Sequence, residues 1–359
     1  MMRIGSILFF LISGLFFACI RHNNEEHVTD KSTGIELPEI HHAKGFRFEE
    51  TDSTVLFQIL YPVDGKTADS GYLKHSDQTF PVYTFERTAI QSTTYFAFFE
   101  RLGKVDELSG ICGKKYLSQE QKNKAEHLEE ICSDNGFNME RIAGLGPDVL
   151  FLYPFEQKDV ERFHRLGIKT VLITEYLEST PLARAEWLKF FGVLTGSEKA
   201  ETIFEEIETD YLKNQQNEIT ASVALNLPFG EHWNMPSGNS ITANLMKDAG
   251  LEYVFSDRKE DGNVVLSMEE GYSVLAEAEY WVIISEREPG YTMEKLLGEN
   301  KVYASFRSVR EGKVIFCNTA ENDYFSKGVI EPHVMLEDLL VCLGKKEATH
   351  ENTYFHILK

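Results

Sequence analysis

Six short apolar runs punctuate the chain: Ala89-Ile90, Val149 to Tyr153, Thr170 to Ile173, Val223 to Leu225, Trp281 to Ile284 and Val314 to Phe316. None is long enough for a helix, and none alternates as a half-solvated strand does. Continuous runs of four or five residues suit strands buried on both faces, as in parallel sheets covered by helices. Between the runs, apolar residues recur at helical spacing, so the pattern is α/β. It also echoes itself. Gln91-Ser92-Thr93-Thr94 opens an apolar helix ending at Leu102-Gly103, and Pro236-Ser237-Gly238-Asn239-Ser240 opens another ending at Ala249-Gly250. Pro147-Asp148 leads into one buried run and Glu279-Tyr280 into another. Two α/β lobes in tandem are expected, over residues 76–196 and 219–344.

No Pro/Gly/Ser linker separates these halves. Thr180-Pro181 reads as an N-cap with Pro at the first helical position, opening a helix to about Leu194. Thr195-Gly196-Ser197-Glu198 has capping-box spacing. A second helix, carrying Ala200, Ile203, Phe204, Ile207 and Tyr211 on one face, is expected to bridge the lobes over 197–218. About 20 residues at ~1.5 Å each give roughly 30 Å. Such a bridge is stiff and permits only slight rocking. Residues 20–75 read as a polar tether, Arg21 to Gly34, followed by a β-rich preface. The preface holds strand-like Phe46-Arg47-Phe48 and Val55 to Tyr61, then a turn at Pro62-Val63-Asp64-Gly65. Residues 345–359 read as a polar tail.

The first nineteen residues bear on the compartment. Met1-Met2-Arg3 precedes an uncharged apolar stretch, Ile4 to Phe17, of signal-peptide length and too short to span a bilayer. Leu15-Phe16-Phe17-Ala18-Cys19 resembles a bacterial lipobox, which implies diacylation of Cys19. Two acyl chains anchor stably where one is marginal. The expected location is the cell envelope, lipid-anchored and periplasm-facing. Lys and Arg number 36 against 57 Asp and Glu, for a net charge of −21. That balance opposes nucleic-acid binding, which needs a cationic field. Cys112 and Cys132 are free to pair in an oxidising envelope or to serve, like Cys317 and Cys342, as small buried apolar residues; none has metal-site spacing.

The chain resembles the class III substrate-binding proteins of ABC importers, which carry iron chelates, haem and vitamin B12, over about residues 80–344. Glu86-Arg87-Thr88-Ala89-Ile90-Gln91-Ser92-Thr93-Thr94 looks like the family's first strand and polar loop. Met139 to Val149 matches its E-x-I-x-x-L-x-P-D-[LV] signature, and Leu166-Gly167-Ile168 its next step. Glu175 to Trp187 resembles a lipoprotein subgroup with a PLGRAEW motif, with Ala183 in place of Gly. The resemblance implies two Rossmann-like lobes joined by one long helix, with the β-rich N-terminal extension outside the general pattern. It also implies a permease dimer with its ATPase as partner. A monomer is expected, with no covalent cofactor beyond the lipid.

In open α/β sheets ligands sit beyond the carboxyl ends of the strands. The candidate ligand residues follow from that rule. Ser92, Thr93 and Thr94 sit at a helix start, where free N–H groups favour anionic or carbonyl-rich groups and where plain capping is equally served. Ser237 opposes them. Tyr116, Tyr153, Phe155, Tyr176 and Trp233 are aromatics suited to a macrocycle or aromatic chelate, or to rim packing. Arg87, Arg184 and Arg287 suit carboxylates, catecholates or phosphate, and Tyr324 closes the rim. The resemblance further implies one docking carboxylate per lobe, mapping to Glu156 and Glu269, with Gln157 and Glu270 as neighbours in an uncertain register.

Other chemistry fails at the motif. Gly65-Lys66-Thr67 lacks the first Gly of a P-loop, since Leu60 stands there. Gly144-Leu145-Gly146 runs into a strand, and Gly238-Asn239-Ser240 is no nucleophile elbow. No HExxH occurs. The expected protein is therefore a non-enzymatic substrate-binding lipoprotein for an iron chelate or a cobalamin-type corrinoid, with haem third. The alternatives are a bare Zn or Mn binder of related fold, which needs converging His and carboxylates, and a surface lipoprotein that sequesters ligand without a transporter.

Overall fold

The computed structural model describes residues 37–50, 55–73, 86–155, 157–260, 262–348 and 351–359. Three antiparallel strands come first: β1 (Phe46–Glu50), β2 (Val55–Leu60) and β3 (Thr67–Leu73), in the order β1-β2-β3. In β2 alternate residues Val55, Phe57 and Ile59 are fully buried, the period-two pattern of a sheet packed on one side. β3 was not expected. It follows the turn at Gly65, whose φ of +68° is the left-handed backbone that glycine enters without penalty.

The first lobe holds β4 (Thr88–Ile90), β5 (Leu108–Ile111), β6 (Glu129–Glu130), the short ladder β7 (Cys132–Ser133) and β8 (Gly136–Phe137), β9 (Val149–Leu152) and β10 (Lys169–Leu172). Five of these form a wholly parallel sheet, β10-β9-β4-β5-β6. All four residues of β9 are buried, because helices cover both faces. One face carries Ile90, Val149, Phe151 and Val171. The other carries Ala89, Leu150, Leu152 and Leu172. The helices are α1 (Thr93–Leu102), α2 (Gln119–Lys124), α3 (Met139–Leu145) and α4 (Gln157–Arg165).

The expected helix from Pro181 breaks in two, α5 (Pro181–Ala185) and α6 (Trp187–Thr195), with Glu186 at the joint. Thr195 does not open a capping box: it ends α6, and its hydroxyl donates back to the carbonyl of Phe191 at 2.9 Å. The bridging helix α7 (Ala200–Asn214) has 15 residues, shorter than expected, and no side-chain cap at Lys199.

The second lobe repeats the plan with β11 (Ala221–Leu225), β12 (His232–Met235), β13 (Leu251–Tyr253), β14 (Val264–Ser267), β15 (Tyr280–Ser285), β16 (Val314–Asn318) and β17 (His356–Ile357). Its sheet runs β13-β11-β15-β16-β17, parallel except for β17. Its helices are α8 (Ile241–Asp248), α9 (Met268–Glu277), α10 (Met293–Glu299), α11 (Arg307–Arg310) and α12 (Pro332–Cys342), the last packed on α7. The chain end is not a polar tail: β17 adds to β16, and Tyr354, Phe355 and Leu358 are buried. A disulfide joins Cys112 to Cys132, while Cys317 and Cys342 are free.

The preface is fastened to the first lobe by two buried carboxylates. Glu186 accepts the backbone N–H groups of His41, His42 and Ala43 at 2.7–2.9 Å. Glu178 accepts those of Lys44 and Gly45, and the Trp187 indole N–H at 3.1 Å. A side chain at Gly45 would strike the Trp187 ring, so backbone and indole meet only because residue 45 lacks one.

Candidate functional site

The carboxyl ends of both sheets converge on one cleft of about 670 Å³. Thr93, Tyr116 and Lys122 line it from the first lobe, and Glu286, Thr319 and Phe325 from the second. A second open cavity of about 730 Å³ shares Thr93, Lys115 and Tyr116 with it and is lined also by Gln91, Ser92 and both bridged cysteines.

Ser92 caps α1, its hydroxyl accepting the Thr94 N–H at 3.2 Å, and it also accepts the Tyr153 hydroxyl at 2.8 Å. Capping and cleft contact thus coexist at one residue. Beyond β9, Tyr153 stacks on Phe155 with centroids 5.2 Å apart, and Tyr176 meets Tyr153 edge-on at 5.3 Å. Phe155 is 66% exposed, Tyr116 71% and Phe325 62%. Exposed rings at the rim offer flat apolar surface to a bulky ligand.

Close to Tyr153 and Tyr176 lies a charged pair. Arg184, on α5, donates to Glu175 at 3.2 Å, and Glu175 is fully buried. Burial raises the Glu175 carboxyl above its ordinary value, with Arg184 opposing the rise. Burial, then Glu175, pushes the Tyr176 phenol up to about 12. Tyr95 lies fully buried within their electrostatic reach. Among the described residues, its hydroxyl, Glu175 Oε2 and Arg184 Nε have no hydrogen-bond partner.

Other expected site residues lie elsewhere. Arg87 precedes β4, at the amino edge of the sheet and away from the cleft, with its guanidinium on the Leu145 carbonyl. Trp233 is fully buried: β12 pairs antiparallel with β14, and that register turns the indole onto Tyr272 and Trp281 instead of into a loop. Ser237 is buried and spends its hydroxyl on Asn239. Arg287 follows β15, but its guanidinium pairs with Glu299 at 3.2 Å and lies over the Tyr291 ring, within its own lobe. Tyr324 packs edge-on against Phe325, Tyr354 and Phe355, and burial raises its phenol. Thr94 is buried and reaches the opposite lobe through the Phe325 carbonyl. Cys19 and Glu156 lie outside the described residues. Glu269 is exposed in the first turn of α9, whereas Glu270 is taken up by the Ser267 cap. Glu175, Glu130, Tyr95 and Phe325 were missed. Of these Phe325 had a signal, standing beside Tyr324 in the loop after a buried strand, and Glu175 stood in the stretch that resembles the PLGRAEW subgroup.

Two lobes built on parallel strands, with facing strand ends and an aromatic rim, have the architecture of a two-lobed binding protein. Residues 89–320 match the family model described as periplasmic binding protein, and the chain belongs to that family. An uncharacterized lipoprotein of Methanocaldococcus jannaschii is 26% identical over 287 residues, which span 76% of this chain and 68% of that protein. Among solved structures, the periplasmic vitamin B12 binding protein BtuF of Vibrio cholerae superposes with a TM-score of 0.54 at 14% identity, covering 73% of this chain and 98% of its own. The Fe3+-Desferal-bound siderophore binding protein FhuD of Vibrio cholerae gives 0.54 at 17% identity, covering 72% and 99%. The fold is the class III periplasmic-binding fold. The family binds solutes and does not transform them, as the substrate-binding component of ABC importers. It is extracytoplasmic. Among the described residues no helix is long and apolar enough to cross a membrane.

Proposed function

We propose that this protein captures a metal chelate, an iron–siderophore or a cobalamin-type corrinoid, between its lobes and delivers it to an ABC permease. It does so while anchored through Cys19. One observation carries the reading: Tyr153, Phe155 and Tyr176 gather at the carboxyl ends of β9 and β10, close to the Arg184–Glu175 pair. The rings supply apolar area to a bulky ligand and Arg184 meets its anionic edge. The solved neighbours that bind vitamin B12 and Fe3+-Desferal support the same class. The bare-ion alternative needs a converging His and carboxylate set, and no group of three metal-ligating side chains occurs among the described residues. Glu269, with Glu156 on the other lobe, docks on the permease.

The test is the absorption spectrum and metal content of protein purified from its native host. Cobalt with a corrin band selects the corrinoid. Iron with a charge-transfer band selects the chelate, and a Soret band selects haem. Stoichiometric zinc or manganese without a chromophore overturns the chelate reading. In a pull-down of the permease, Glu156→Ala with Glu269→Ala abolishes capture; normal capture by the double variant rejects the docking assignment.

A further inference from the structure

The segment Gly113 to Leu117 carries the exposed Tyr116 into the cleft, and two independent clamps tie it to residues 130–134. The first is Glu130. Its carboxylate accepts the N–H of Gly113 at 3.1 Å, of Lys114 at 2.8 Å and of Cys132 at 3.1 Å. The second is the Cys112–Cys132 disulfide, which closes a stretch of 20 residues. Within the segment, Gly113 has φ of +79°, and a side chain there would crowd the Tyr116 ring. The Lys114 ammonium donates to the carbonyls of Glu126 and Leu128 at 2.9 and 3.0 Å, and the Lys115 ammonium lies 5.0 Å from the Tyr116 ring centroid. An aromatic this exposed has little core to hold it, so its position rests on the backbone beneath. The 129–131 stretch itself is anchored by the β5–β6 pairing, the Ile131 N–H on the Ile111 carbonyl at 3.0 Å and the buried Ile131 side chain, so it is a fixed base to which the clamps tie the 113–117 backbone. Both cysteines line the same cavity as Ser92, Thr93 and Tyr116.

We propose that Glu130 and the Cys112–Cys132 disulfide are a positioning device for Tyr116, and that ligand affinity is therefore under thiol–disulfide control. The inference rests on the cleft being the ligand site. Reduction by a dithiol breaks the 112–132 S–S bond. Two electrons and two protons pass to Cys112 and Cys132, and the dithiol is oxidised to its own disulfide. The segment, then held by Glu130 and Lys114 without the disulfide, is looser and has to be ordered further by the ligand, so binding weakens. Linkage runs the other way too: a ligand in this cavity favours the oxidised form.

The test uses the full chain in detergent, oxidised or reduced with dithiothreitol, alongside Cys112→Ser with Cys132→Ser, Glu130→Ala and Glu130→Gln. Amide hydrogen exchange is followed without ligand, and affinity is measured with cyanocobalamin and with ferric desferrioxamine B. Reduction and the double serine variant should each speed exchange at 113–117 about tenfold, leave 93–102 unchanged, and weaken the probe that binds about tenfold, one step of 1.4 kcal/mol. Glu130→Ala should do the same with the disulfide intact. Glu130→Gln, which keeps one acceptor oxygen, should restore part of the affinity. Unchanged exchange at 113–117 on reduction overturns the clamp. Faster exchange with unchanged affinity overturns the control of binding. Failure of both probes on the oxidised protein overturns the ligand reading and the control of affinity with it; it is recognised because it occurs without reductant, while exchange still decides the clamp.

Discussion

The Thr94 hydroxyl donates to the backbone carbonyl of Phe325 at 2.8 Å, and this bond crosses from one lobe to the other. It does not stand alone. Ser326 donates to the buried Gln121 at 3.3 Å, and Lys327 pairs with Glu120 at 3.3 Å. The segment after β16 therefore fastens the cleft at one end, so α7 is not the sole tie between the lobes. Thr94→Val removes one net hydrogen bond, about 1 kcal/mol, while keeping the side chain's shape. Urea unfolding should show that loss, and exchange at 324–328 should rise. No change in either would mean that the bond is not maintained in solution.

Glu186 is a sharper case. It is fully buried, accepts three backbone N–H groups and lies 3.3 Å from the buried Lys189. Glu186→Ala leaves those three N–H groups short of an acceptor, while Lys189 keeps Glu201 at 2.9 Å and the Glu39 carbonyl at 2.7 Å, so the cost should be about 1–3 kcal/mol. Limited proteolysis should then cut within residues 37–73 of the variant at protease levels that spare the wild type.

Glu175 gives a pH signature. Burial raises its carboxyl above the ordinary 4.5. The folded state therefore binds this proton more tightly than the unfolded state does. Its contribution to stability is greatest below 4.5 and falls as pH rises through the raised value. The difference in unfolding free energy between wild type and Glu175→Gln should decline over that window and then level off. A difference that grows with pH would contradict the assignment.

Phe155 and Trp233 should separate binding from folding. Phe155 is exposed at the rim, so Phe155→Ala should leave stability within about 0.5 kcal/mol while weakening ligand about tenfold. Trp233 is core, so Trp233→Ala should cost about 3–5 kcal/mol, with unaltered affinity in the folded fraction. Thermal unfolding and titration of both variants check the contrast.

The two-lobe plan was legible because β9 and its counterparts are apolar throughout, which only strands covered on both faces require. The cleft aromatics were legible because position after a strand is a matter of topology. Trp233 was misread because the face a residue takes in β12 depends on its register with β14, thirty residues away. β17 was missed because strand addition at a sheet edge is decided by what the edge needs. Glu130 gave no signal, and Glu175 and Glu186 stood in the stretch that resembles the PLGRAEW subgroup without their roles being readable: their partners are backbone N–H groups and the Arg184 guanidinium, and those meet only once the chain has folded.

The most direct test of the central claim is a fluorescence titration of the purified, detergent-solubilised chain with cyanocobalamin and with ferric desferrioxamine B, run in parallel on Arg184→Ala. One probe should quench the cleft aromatics saturably at one ligand per chain, with a Kd of about 1 µM or tighter, and Arg184→Ala should weaken it about tenfold. No saturable binding of either probe up to about 1 mM, or equal binding by Arg184→Ala, would contradict the account.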